Sequence, residues 1–171
     1  MNAWLDRLNN LLHGLLALVG VGLLASSPWL ALFDAIPPEA GWVDLAHVAL
    51  GLASLPLVLL YVLACSHDGR WRLYFPWLAG DFGPLGRDLA GLARGERPMS
   101  EGGGLFAVIE GLLLLALFAT ALTGAAWFLL QGSDAVFAWW RYHHFAARSF
   151  SALLLLHIIA VALHLVDLIR S

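Results

Sequence analysis

The chain has 171 residues, 61% hydrophobic and 12% charged, with a formal net charge of −3 when its histidines are neutral. Soluble domains are about 25% charged, and the depletion here excludes a soluble enzyme, a nucleic-acid binder and a disordered tail. What remains is a small polytopic membrane protein. Four stretches almost free of charge are each long enough to cross a ~30 Å hydrocarbon core at ~1.5 Å per helical residue.

The first span is expected over residues 8–29, ended by Pro28 and the loop DAIPPEAG. Its apolar stretch outruns the ~7–15 residues of a signal-peptide core, so it is read as a retained helix. The second span covers 42–65. A long polar connection, 66–104, follows. Within it PLGRDLAGLARG (84–95) has proline near its start and glycine at its end, the asymmetry of a helix. Leu85, Leu89 and Leu92 share one face, while Arg87, Asp88 and Arg94 are polar, which predicts an amphipathic helix on the membrane surface. SEGGG (100–104) then gives flexibility. The third span is 105–130, and QGSDAVFAWW leads to the fourth, 137–169. The fold class is therefore an all-α, membrane-spanning four-helix bundle, read as one domain over 1–171.

All nine Lys/Arg positions are arginine. Arg7, Arg70, Arg72, Arg87, Arg94, Arg97 and Arg170 fall on one side of the bundle. Arg141 and Arg148 fall on the other, beside Asp34, Glu39, Asp44 and Asp134. Positive charge marks the inner side, so both termini are expected in the cytoplasm. The tryptophans suit interfacial belts, with Trp4, Trp71 and Trp77 inner and Trp29, Trp42, Trp127, Trp139 and Trp140 outer. Cys65 is the single cysteine. It can form no internal disulfide, and one thiol cannot hold an iron–sulfur cluster.

Seven histidines are many for so apolar a chain, because a polar group in a span is costly unless used. His143 and His157 are 14 residues apart, about 40° short of four turns at about 100° per residue. They share a face and stand about 21 Å apart along the axis. His144 falls well off that face, and His164 nearly eclipses His157. His13 lies near the inner start of span one, and His47 near the outer start of span two. Two pairs result at matching depth, His47 with His143 and His13 with His157. A lone membrane histidine is commonly a satisfied hydrogen-bonding group, and zinc would want three or four ligands at one depth. Two imidazoles facing each other across a bundle are what bis-histidine haem iron requires. Gly14, Gly20, Gly22 and Gly51 suit a porphyrin lying close to backbone. They suit helix packing as well, which is the favoured reading for the glycines alone.

The chain resembles the superfamily of bacterial cytochrome b561 and the b-type cytochromes of formate dehydrogenase (the gamma subunit) and Ni-Fe hydrogenase. The resemblance covers all four spans. It rests on LLHGLL around His13, LAHVALG around His47, LTG at 122–124, and YHHF…LLHIIAVALH across His143, His157 and His164. It implies a four-helix bundle with two haem b groups, their iron held by His13, His47, His143 and His157. His164 matches a histidine of some members. The connection GRDLAGLARGERP looks most like the formate-dehydrogenase gamma type. Those cytochromes carry an Asn beside a glycine at the inner start of span three, at their quinone site. This chain departs from that pattern, with Gly103 and Gly104 and no Asn.

Other polar residues extend the reading. Arg148 and Arg141 are candidates to pair with haem propionates, since guanidinium binds carboxylate bidentately; interfacial anchoring is the plainer role. Glu110 lies about two turns into span three, where a carboxylate serves either proton delivery to a quinone or a neutral hydrogen bond between helices. Asp167 and His164 could line the inner edge of the same region. The expected function is electron transfer between a periplasmic oxidoreductase or electron-carrier subunit and the quinone pool, in a multi-pass protein of the bacterial inner membrane. Membrane lipid and quinone are its other partners, and nucleic acid is not one. The alternative is a free-standing b561-type quinone oxidoreductase using a small reductant such as superoxide. A third reading, a non-redox membrane protein, predicts no haem and tolerance of histidine replacement.

Overall fold

The structure is a computed structural model that describes residues 3–69, 71–96, 98 and 104–170, with the side chains of all of these except 3, 68, 164, 166–168 and 170. Among the described residues seven α-helices follow in order: α1 Ala3–Ser26, α2 Trp42–Ser66, α3 Trp71–Tyr74, α4 Pro76–Ala79, α5 Gly83–Ala93, α6 Leu105–Leu129 and α7 Val136–Arg170. Among the described residues four helices are long and apolar enough to cross a membrane, over Trp4–Trp29, Trp42–Ser66, Leu105–Leu129 and Val136–Leu163. Between 17% and 22% of each is buried inside the chain, so most of their apolar surface faces outward. A water-soluble helix would lose that surface's burial free energy; in hydrocarbon nothing is lost.

The boundaries have local causes. α1 stops at Ser26 because Pro28 begins a 3₁₀ turn over Ser27–Trp29. The hydroxyls of Ser26 and Ser27 donate to the carbonyls of Leu23 and Leu24, at 3.0 and 2.9 Å, serving acceptors a helix end leaves open. A helix covers the expected stretch as α5, and it ends where Gly95 turns to φ 77°. There Glu96 N–H bonds the Gly91 carbonyl at 2.9 Å and Gly95 N–H bonds Leu92 at 3.0 Å, the paired bonds of a Schellman cap. α3 and α4 have no counterpart in the sequence reading. They are four residues each, too short for a periodic signal.

The chain divides into two compact units, Met1–Ala64 with Ala116–Ser151, and Cys65–Leu115 with Ala152–Ser171. In the first, Leu12, Leu16 and Gly20 of α1 are buried at four-residue spacing, the stripe a packed helix presents. They are joined in its core by Val58, Leu117, Ala121 and Phe150. The loop between α1 and α2 is tied down rather than loose. Trp127 Nε1–H donates to the Phe33 carbonyl at 2.9 Å, Trp140 Nε1–H to Leu32 at 3.2 Å, and Ile36 N–H to Gln131 Oε1 at 2.9 Å. Asp44 is buried and accepts from the N–H groups of Ala31 and Gly41 at 2.9 and 3.1 Å.

In the second unit Asp88 revises one expectation. It was placed on the polar face of a surface helix, yet it is buried, and its Oδ2 accepts the N–H of Leu105 at 2.7 Å. Leu105 opens α6, so a carboxylate from α5 caps that helix's first turn, where its negative charge also suits the helix dipole. A Cβ at Gly104 would collide with that carboxylate, which accounts for glycine there. Gly111 likewise lies under the Tyr74 carbonyl and 2.9 Å, at its Cβ position, from the Trp77 ring. The α3–α4 segment thus crosses α6 one residue from Glu110.

Candidate functional site

In the first unit a cavity of about 380 Å³ lies among α1, α2, α6 and α7, at the end closed by the tied-down loop. Its volume is within the ~300–1,000 Å³ typical of small-molecule sites. His47 and His143 both line it, as do Gly51, Gly124, His144 and Arg148. The structure thus brings His47 and His143, paired by spacing in the sequence, to one cavity.

The contacts at Nδ1 bear on which nitrogen of each ring is free to bind a metal. His143 Nδ1 lies 3.0 Å from the Thr120 carbonyl, which can only accept, so Nδ1 carries the hydrogen. Thr123 Oγ1 stands 3.5 Å from the same nitrogen and donates its own hydrogen to Ala119 at 2.7 Å. His47 Nδ1 lies 2.8 Å from Ser26 Oγ. The serine hydroxyl also has the Leu23 carbonyl at 3.0 Å, so it can accept from an Nδ1–H of His47 while donating there. His143 is left with the lone pair on Nε2, and so is His47 when its Nδ1 donates to Ser26. That is the tautomer a metal-ligating histidine takes when its other nitrogen is held by an acceptor.

The glycines divide. A Cβ on Gly124 would stand 3.1 Å from two atoms of the His143 ring, so a side chain there would push the ring off the Thr120 carbonyl. Gly20 is pressed by Phe150 at 3.2 Å, the helix-packing role. Around Gly51 nothing stands within 4 Å, and the same is true of Gly14 and Gly22. Packing therefore accounts for Gly20, whereas Gly51 borders open cavity.

The remaining expected residues are placed as follows. Arg148 is exposed and lines the cavity, while Arg141 is exposed outside it. His144, set aside by the helical register, also borders the cavity, with its ring 4.2 Å from that of Trp140. His13 is exposed on α1 and lies apart from this cavity; its Nδ1 is 3.3 Å from the Tyr61 hydroxyl. One turn before it, Asn9 has a buried Oδ1 with no hydrogen-bond donor among the described residues. His157 is half-buried on α7 in the second unit, and Glu110 is half-buried on α6 there. The side chains of His164 and Asp167, and Arg70, Arg97 and Gly103, lie outside the described residues.

Sequence reasoning missed Ser26, Thr120 and Tyr61. Serine at a helix end reads as a cap, a backbone carbonyl has no sequence signal, and a tyrosine in a span reads as lipid-facing. Only the 14 residues between His143 and His157 gave the register; nothing local links Ser26 to a ring 21 positions away.

The donor set fits haem iron. Two imidazoles line one cavity with Nδ1 of each at a hydrogen-bond partner, a glycine leaves room beside one of them, and a guanidinium stands in the lining for a propionate. No curated protein and no solved structure is significantly similar to the chain. A family model described as prokaryotic cytochrome b561 matches residues 5–170, nearly the whole length and all four spans. The chain belongs to the prokaryotic cytochrome b561 family, membrane proteins of haem b electron transfer.

Proposed function

We propose that this chain is a di-haem b cytochrome of the bacterial inner membrane that carries electrons between a periplasmic oxidoreductase or electron-carrier subunit and the quinone pool. The observation that carries the reading is the pair His47 and His143, on one cavity with Nδ1 of each at hydrogen-bond distance from a partner. These would hold the outer haem, and His13 and His157 the inner one, with both termini in the cytoplasm. Haem b supplies reversible one-electron chemistry when bound; axial ligands, burial and nearby charge tune its potential.

The chain's own residues have distinct tasks. Ser26 and the Thr120 carbonyl orient the outer imidazoles, and Tyr61 does so for His13. Arg148 would bind a propionate of the outer haem, and its place in the cavity lining supports it over the exposed Arg141. Trp127 and Trp140 hold the loop that closes the outer end and excludes water there. At the inner side Glu110 and His164 would exchange protons with quinone. Moving an electron across the full membrane exchanges ~2.3 kcal/mol per 100 mV, so opposite placement of the two sites couples the transfer to the field.

One observation favours a second reading, a free-standing quinone oxidoreductase fed by superoxide or another small reductant. The loop between α6 and α7 spans only residues 130–135, and the connection 27–41 lies tied down over the cavity, so a small reductant at that end meets loop rather than a folded domain among the described residues. Gentle purification separates the two. A stoichiometric partner subunit supports the first, and quinone reduction by the isolated chain supports the second. Purified chain without haem, despite ample haem supply, overturns both.

Gly51→Phe tests whether the open space beside Gly51 is porphyrin space. The ring would fill cavity that no side chain occupies, so the helices should assemble normally. Haem content is expected to fall from about two per chain to about one with circular dichroism unchanged. Full haem content in this variant would show that the cavity is not the site.

A further inference from the structure

We infer that Ser26 is a positioning residue that lowers the midpoint potential of the outer haem through the Nδ1–H of His47. The inference rests on the ligand reading above. Ser26 and Ser27 both close α1, and both hydroxyls donate to a carbonyl three residues back, at 3.0 and 2.9 Å. Capping alone is complete with that bond. Ser26 Oγ has in addition the ring of His47 at 2.8 Å, closer than the 3.0 Å between His143 and Thr120 and the 3.3 Å between His13 and Tyr61.

In the inferred tautomer His47 Nδ1–H donates to Ser26 Oγ, which leaves the Ser26 hydroxyl hydrogen for the Leu23 carbonyl 3.0 Å away. Each bond in such a chain polarises the next. The imidazole loses positive character at Nδ1–H and becomes a stronger donor at Nε2. A stronger donor favours ferric over ferrous iron and lowers the potential. On the opposite ring the acceptor is a backbone carbonyl, which no substitution removes. Ser26 is therefore the half of the axial pair that sequence change can adjust. It also fixes the ring plane of His47, since the bond joins α1 to α2 across the cavity edge.

The test compares Ser26→Ala and Ser26→Thr in the full-length chain with its haems. The outer haem is identified as the one lost in His47→Ala. Potentiometric titration gives its midpoint, and low-temperature electron paramagnetic resonance gives its ferric low-spin signal. In Ser26→Ala the ferric form should lose about tenfold more affinity than the ferrous form, within the ~10–100-fold typical of outer-shell partners. That raises the midpoint by about 59 mV for one electron. The low-spin signal should shift as the ring is released, and Ser26→Thr should restore both readouts. Loss of the outer haem in Ser26→Ala with retention in Ser26→Thr supports the same conclusion. An unmoved midpoint and signal in Ser26→Ala, or equal change or haem loss in both variants, overturns it. Failure of the ligand reading is separately visible, because both haem signals would then survive His47→Ala.

Discussion

Replacing His143 by alanine should lower the haem content from about two per chain to about one and remove the outer haem's spectral component. The substitution deletes the Nε2 donor and leaves the Thr120 carbonyl without its 3.0 Å partner. His144 is adjacent in sequence and also borders the cavity, but its ring lies against Trp140. Register puts it about 100° round the helix from His143, so it cannot take the vacated axial position without unwinding α7. The polypeptide should still insert and assemble, since the core residues Leu12, Leu16, Val58 and Phe150 are untouched. Pyridine haemochrome against protein concentration measures the ratio. Retention of two haems would show that His143 is not a ligand.

His157→Ala should have the complementary effect. The inner haem should be lost, the outer one should keep its midpoint, and about one haem per chain should remain. His157 is half-buried in a helix whose neighbouring residues Leu155, Leu156, Ile158 and Ile159 are exposed and apolar. A neutral imidazole among such residues is costly unless it is used. Its expected partner, His13, has its Nδ1 3.3 Å from the Tyr61 hydroxyl. The reduced-minus-oxidised spectrum resolves the two components during titration. Unchanged haem content would detach His13 and His157 from haem and leave the outer site standing alone.

Much of this was legible in the sequence because the membrane simplifies the problem. Charge depletion marks the spans, as Leu105–Leu129 shows, where 105–130 was expected. Proline and glycine punctuate the rest: Pro28 ends the first helix and Gly95 the surface helix. Helical period and orientation put His47 and His143 together, and both line one cavity. What escaped depends on contacts between distant positions. Asp88 looks like one more polar residue on an amphipathic helix, and its burial exists only because α5 docks at the start of α6. The role of Ser26 needs α1 and α2 to stand side by side. The glycines could not be sorted by sequence, because the same small residue serves a tight crossing at Gly20 and open space at Gly51. The tie between Trp140 and Leu32 spans 108 positions, and an interfacial tryptophan gives no sign of it.

The most direct test of the account is the haem-to-protein ratio of the purified chain, taken with its reduced-minus-oxidised spectrum. The account predicts about two b-type haems per chain, with two spectral components. One haem per chain would break one of the two histidine pairs. A chain with none, after expression with adequate haem supply, would contradict the assignment of all four histidines.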